Sequence, residues 1–223
     1  STPRSLSVTQ QKWAKGPLGI EIYNTPTETG KGLNSNQGVS AEKGGEGVEG
    51  FEGTCGLVSV ENILRLAGVK VTESEIVEYA RTHKTGGIFS RRSLCTVGGK
   101  PWENGGTYAQ DRQEILKYYG VDSRIERASL ESIAQYVGEG RGVIASVDAN
   151  MLWYGNNASS PAFHAITVTS VQRDSVTNEI YGFYICDSGS GNNDNARFVP
   201  AYLMSAALAP SGGSINVTNS IIR

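Results

Sequence analysis

The run Gly53-Thr54-Cys55-Gly56-Leu57-Val58-Ser59-Val60-Glu61-Asn62-Ile63-Leu64-Arg65-Leu66-Ala67-Gly68 decides how the rest of the chain is read. Leu57, Val58, Val60, Ile63, Leu64, Leu66 and Ala67 recur at helical spacing, and Gly68 stands where helices commonly stop. Cys55 then falls on the first turn, where unpaired backbone N–H groups and the positive end of the helix dipole favour a thiolate. Gly53 and Gly56 remove side chains that would block an approaching carbonyl, and the Cys55 N–H is free to face an oxyanion. A cysteine in such a place is by itself more often a core residue, so its partners decide.

Downstream, Thr72 and Glu75 form a capping-box pattern that opens a second helix through Ile76, Val77, Tyr79 and Ala80. Thr107 is placed to cap a helix carrying Ile115, Leu116, Tyr118 and Tyr119, closed by Gly120, and Ser129 to cap another through Val137. The character then changes. Gly142 to Asp148, Phe163 to Gln172 and Tyr181 to Asp187 read as strands, with Asp174 to Glu179 turning between the last two. A helical half followed by an antiparallel sheet half predicts an α+β domain with a cleft between its lobes.

Upstream, residues 1–50 read as an arm or linker and 51–223 as the compact domain. Asn24 to Gly53 is rich in Gly, Thr, Ser, Asn and Glu and buries little. Trp13, Ile20, Ile22 and Tyr23 are apolar enough to pin the arm's start to the core, and Gly44 to Gly53 can bend Glu49 towards Cys55.

The 223 residues suit one domain with a real core, and 20 Lys plus Arg against 22 Asp plus Glu leave a net charge of -2. That balance gives no electrostatic reason for nucleic acid or a membrane as a partner. No apolar run is long enough for a membrane helix. Three cysteines, Cys55, Cys95 and Cys186, are too few for a disulfide framework, and without a CxxC or HxxxH pair no metal and no cofactor is expected. The chain begins without Met, as a processed or excised fragment would, so location stays open; one context for such a fragment is a toxin or effector domain of a larger secreted bacterial protein.

Only two histidines compete for the role of base. His83 lies in the polar stretch Arg81-Thr82-His83-Lys84, where a solvated side chain is expected, whereas His164 starts a strand and can reach the cleft. Asp187 ends the partner strand, placed to accept the imidazole N–H and fix its tautomer. Cys95 and Cys186 read as structural.

Gly53-Thr54-Cys55-Gly56 opening an apolar helix, Gly105-Gly106-Thr107 before a helix ending in Tyr118-Tyr119-Gly120-Val121, Phe163-His164-Ala165 on a strand and Asp187 on the next together resemble the C39-like branch of papain-like cysteine peptidases. The resemblance covers about Phe51 to Val199 and implies a papain-like two-lobe fold, with the nucleophile helix in an N-terminal helical lobe and an antiparallel sheet in the C-terminal lobe. It implies Cys55, His164 and Asp187 as a catalytic triad cleaving peptide bonds through a thioester, with peptide or protein as substrate. The same triad would also serve a Gln deamidase or transglutaminase-like effector, and a toxin context would add an immunity or inhibitor protein as partner. One departure stands out: Glu49 lies six residues before Cys55, where the family pattern has Gln. A carboxylate does not donate unless protonated. The oxyanion donor is then Gln37 or a backbone N–H, or the hole is weak and the domain is a silent binder of peptide or protein.

Overall fold

A computed structural model describes residues 32–86, 91–156, 161–208 and 213–222, together with the backbone of strands β1 (Lys12–Lys15) and β2 (Ile20–Tyr23). Helix α1 (Cys55–Leu66) ends as its periodicity predicts, with Gly68 in the left-handed region at φ 87°. Helix α2 (Glu73–Thr82) is capped by Thr72, which accepts from the Glu75 N–H. A short hairpin of β3 (Lys84–Thr85) and β4 (Arg92–Ser93) leads towards helix α3 (Ala109–Tyr118). The residue capping α3 is Tyr108, not Thr107: the Asp111 carboxylate accepts the Tyr108 N–H at 2.8 Å, while the Thr107 hydroxyl is taken by Arg112.

Strand β5 (Ser123–Arg127), helix α4 (Leu130–Gly138) capped by Ser129, strand β6 (Arg141–Asp148) and the short helix α5 (Ala149–Tyr154) follow. Then come β7 (Phe163–Asp174), β8 (Ile180–Asp187), β9 (Asp194–Pro200), helix α6 (Ala201–Leu208) and β10 (Ser214–Ile221). The large sheet runs β1-β2-β7-β6-β10-β5, with β8 on the other edge of β7 and β9 beyond it. Every pairing is antiparallel.

Strand β7 organises the sheet. Along one edge its first half pairs with β6 and its last residues pair with β2, Tyr23 opposite Val171 and Ile20 opposite Asp174. The arm is therefore docked as strands at this point; the packing expected of the Trp13, Ile20, Ile22 and Tyr23 side chains lies outside the described residues. The Gly-rich stretch from 32 on stays irregular, yet it is packed: Leu33, Asn34 and Ser40 are buried.

Two apolar cores lie on opposite faces of the sheet. Helices α1, α2 and α3 contribute Leu57, Ile63, Leu64, Ile76, Ile115 and Leu116 against Ile144 and Ala165. Helices α4 and α6 pack on the other face with Val143, Ile166, Val168, Phe183 and Ile185. Alternation along β6 and β7 supplies both cores from the same strands. Fully burying each large side chain is worth roughly 1.5–3 kcal/mol. Helix α1 is buried all round from Gly56 to Leu64, so Ser59, Glu61 and Asn62 are interior groups. Asn62 exchanges two hydrogen bonds with the Asn34 backbone, and burial pushes the Glu61 carboxyl up to about 8 against the pull of Arg65.

The start of α1 is wedged tightly. A Cβ on Gly56 would meet Thr107 Oγ1 at 2.0 Å and Arg112 Cδ at 3.3 Å. Gly56→Ala is expected to lower unfolding free energy by about 1–3 kcal/mol through overpacking, read as a lower denaturation midpoint at unchanged slope.

Candidate active site

Cys55 is the first residue of α1, half-buried at the seam between the helical layer and the start of β7. Thr54 precedes it without capping the helix; its hydroxyl donates instead to the buried Glu73 carboxylate at 3.1 Å. The first-turn N–H groups are thus left to the thiol and whatever binds there.

His164 stands opposite Val147 on β6, 8 % exposed. The register Thr167 opposite Cys186 sets Asp187 across from Ile166, one diagonal step from His164 and on the same face of the sheet. His164 Nε2 donates to Asp187 Oδ1 at 2.7 Å, and the Cys55 side chain is a second hydrogen-bond partner of the same imidazole. Cys55, His164 and Asp187 therefore form one series, with the imidazole in the middle.

The carboxylate is fully engaged. Asp187 Oδ1 also accepts the Gly189 N–H at 3.0 Å, and Oδ2 accepts the Trp153 indole N–H at 2.7 Å. Trp153 lies edge-on to the imidazole with ring centroids 5.3 Å apart. It covers the His164–Asp187 pair as well as holding it. Nothing in the sequence reading singled Trp153 out; the available signal was an aromatic pair, Trp153-Tyr154, following a strand that ends in a capping Asp148.

Electrostatics separate the three thiols. At Cys55 burial favours the neutral form, but the hydrogen bond and charge of His164, the Ala165 N–H and the Arg112 guanidinium outweigh it and leave the thiol below its ordinary value. His164 is opposed by burial too, yet Asp187 and Cys55 carry it up to about 10. Asp187 is held below the usual carboxylate range, burial being overcome by His164, Trp153 and the Gly189 N–H. Burial pushes Cys95 and Cys186 up to about 12. Cys186 faces α1, where Asn62 and the Asn34 carbonyl hold its sulfur.

Glu49 does not reach this constellation. Its side chain is 75 % exposed beside Lys43 at 4.0 Å. The arm's contribution comes from Gln37 instead. Its backbone N–H donates to the Ser188 carbonyl, its Oε1 accepts the Ser188 hydroxyl at 2.8 Å, and its Nε2 donates to the Glu52 carbonyl at 2.8 Å. A Cβ built on Gly189 would lie 2.8 Å from His164 Cε1 and 3.2 Å from Gln37 Oε1, so the carboxamide and the imidazole flank the same glycine. His83 lies elsewhere, its ring tilted 31° against Tyr79 with centroids 3.9 Å apart. Among the described residues no group of three His, Cys, Asp or Glu is arranged to hold a metal ion.

Beside the Asp187–Trp153 pair opens a cavity of about 550 Å³, lined by Trp153, Tyr154, Ser190, Asn192, Asp194 and Arg197 among others. Its walls are mostly polar.

The model of the Peptidase_C39 like family matches residues 34–206, more than half of the chain. The chain belongs to this family. The fold is shared with a protein of Bacillus anthracis described as a C39-like peptidase, which superposes with a TM-score of 0.53, at 17% identity, over 74% of this chain and 88% of that one. A double glycine motif protease from an AMS/PCAT transporter, solved with its leader peptide, aligns with a TM-score of 0.43 at 14% identity over 74% and 84% of the two chains. Among curated proteins, uncharacterized proteins of Mycobacterium bovis and Mycobacterium tuberculosis are 28% identical over 140 residues, 54% of this chain. The match spans 60% of the length of those relatives.

With one thiol lowered and two raised, alkylation by iodoacetamide at pH 6 to 7 is expected to place a single label, on Cys55. Mass spectrometry of the digested protein checks this; labelling of Cys95 or Cys186 in the folded chain at an equal rate would contradict it.

Proposed function

We propose that this C39-like domain is a cysteine peptidase that hydrolyses a peptide bond through a thioester on Cys55. The observation that carries the reading is one imidazole that is bonded to Asp187 at 2.7 Å and also partners the Cys55 side chain. His164 takes the thiol proton, the sulfur attacks the scissile carbonyl, and the imidazolium returns that proton to the departing amine. A water then enters, gives its proton to His164 and releases the acyl group as a carboxylic acid, restoring the thiol. Asp187 keeps the tautomer and ring orientation fixed throughout, with Trp153 excluding water from their hydrogen bond.

The oxyanion formed at each attack is assigned to the Cys55 backbone N–H and the Gln37 carboxamide. Gln37 uses one Nε2 hydrogen on Glu52 and keeps the second for a ligand, with its orientation held by Ser188. A donor fixed in this way does not reorganise when charge develops, which is the condition for large transition-state stabilisation. Gln37 thus takes the place that Glu49 leaves empty, from a point 18 residues ahead of Cys55. The substrate is an extended peptide laid across the seam, its leaving-group side resting in the polar cavity by Trp153.

Cys55→Ala and His164→Ala are each expected to reduce peptide hydrolysis by roughly 10³-fold or more while the fold persists, because both remove members of one cooperative unit. The rate should be bell-shaped in pH: it rises as Cys55 ionises, below the ordinary thiol range, and falls as His164 loses its proton near pH 10. New amino termini, detected by mass spectrometry of a peptide library, check the reaction class. Ammonia release from Gln side chains without chain cleavage would overturn it.

A further inference from the structure

Arg112 is 4 % exposed, and its guanidinium donates to Asn216 Oδ1 at 2.9 Å, Thr107 Oγ1 at 3.1 Å and Ser146 Oγ at 3.0 Å. All three acceptors are neutral. Its sequence neighbour Asp111 accepts the Tyr108 N–H and pairs with Arg92 at 2.7 Å, so it acts on Arg112 through space without a hydrogen bond to it. A buried cation whose hydrogen-bonded partners carry no charge is costly, and such a charge is retained where it meets an anion some of the time.

The elements around Arg112 indicate which anion. Gly56, next to the nucleophile, is pressed against Arg112 Cδ and Thr107 Oγ1. Ser146, which receives the guanidinium, is the register partner of Ala165, whose N–H is bonded to the Cys55 sulfur. Thiol and guanidinium therefore share the walls of one compartment, approached from α1, α3, β6 and β7. The charged groups acting on the sulfur are His164 from β7, with Asp187 behind it, and Arg112 from α3.

We propose that Arg112 is a positioning residue that supplies a permanent buried positive charge to the Cys55 thiolate, independent of the proton that His164 carries. His164 titrates and exchanges its proton in every cycle; a guanidinium does not. The sulfur thus keeps one fixed counter-charge as nucleophile and as leaving group. Burial pulls Arg112 below its ordinary value, and Cys55 acts in the opposite direction on it, as a mutual attraction requires.

This inference rests on Cys55 being the nucleophile, and the test separates the two. The rate of Cys55 alkylation by iodoacetamide is measured against pH in the full chain and in Arg112→Lys, Arg112→Gln and His164→Ala, with hydrolysis followed alongside. Arg112→Gln, which keeps donors for Asn216 and Ser146 but not the charge, is expected to move the alkylation limb to higher pH and slow labelling at pH 6 by about tenfold or more. Arg112→Lys should restore most of it. His164→Ala should ionise at higher pH than the full chain, since burial then goes largely unopposed, and adding Arg112→Gln to it should move the limb higher still, because the fixed charge is then lost as well. A parent-like profile in Arg112→Gln overturns the inference. Should that variant fail to fold, the same profile is read in Arg112→Met, which keeps the volume without the charge, and a parent-like limb there overturns the inference instead. A parent chain with no low-pH limb at all removes Cys55 as nucleophile, and this inference with it.

Discussion

The carboxylate of Glu73, wholly buried at the start of α2, ties together the segments from which the site is built. One oxygen accepts the Gly38 N–H at 2.9 Å and the Thr54 hydroxyl at 3.1 Å; the other accepts Asn34 Nδ2 at 3.2 Å. Gly38 follows Gln37, and Thr54 precedes Cys55. A single interior carboxyl group therefore ties the segment carrying Gln37 to the one carrying Cys55. Burial raises the pKa of this carboxyl while those donors lower it, and the helix N-terminus where it sits favours its charge. Without it three donors would stand unpaired in the interior, each at about 1–3 kcal/mol.

The same economy governs the other side of the seam. Asp187 is 0 % exposed, yet every donor it needs is supplied by residues brought from three elements: His164 on β7, Trp153 on α5 and Gly189 in the loop after β8. In a desolvated setting each of these bonds is stronger than in water, and the cost of breaking any one is higher. Rigidity around the imidazole is thus a product of polar saturation at a sheet end, with the apolar cores lying farther along the same strands.

Much of this was legible in the sequence, for a definable reason. Helix α1, the Gly68 stop, the Thr72 and Ser129 caps and strands β6, β7 and β8 are encoded by local periodicity and local hydrogen bonds. Cys55, His164 and Asp187 come together because a helix start and two strand ends converge. Strand β10 is less visible: Ser-Ile-Asn-Val-Thr-Asn-Ser-Ile alternates weakly, and its place between β5 and β6 is decided by pairing across the chain. Arg112 sits in Asp-Arg-Gln-Glu, which reads as a solvated helix face, and only the approach of Asn216, Thr107 and Ser146 buries it. Glu73 is hidden likewise, since it acquires its role from partners far along the sequence, whereas Gln37 is named from the sequence only as one alternative donor, because its contacts with Ser188 and Glu52 are not local.

The division among the three sulfurs also bears on the chemistry of oxidation. Cys95 and Cys186 are interior and held as thiols, so an oxidant finds its reactive target at Cys55 alone. A sulfenic acid formed there has no thiolate of its own chain prepared to condense with it, and further oxidation to the sulfinic state is not readily undone. Recovery from peroxide then depends on a small external thiol able to enter the seam between the layers. The features that make one sulfur nucleophilic thereby make the molecule dependent on the reducing power of its surroundings.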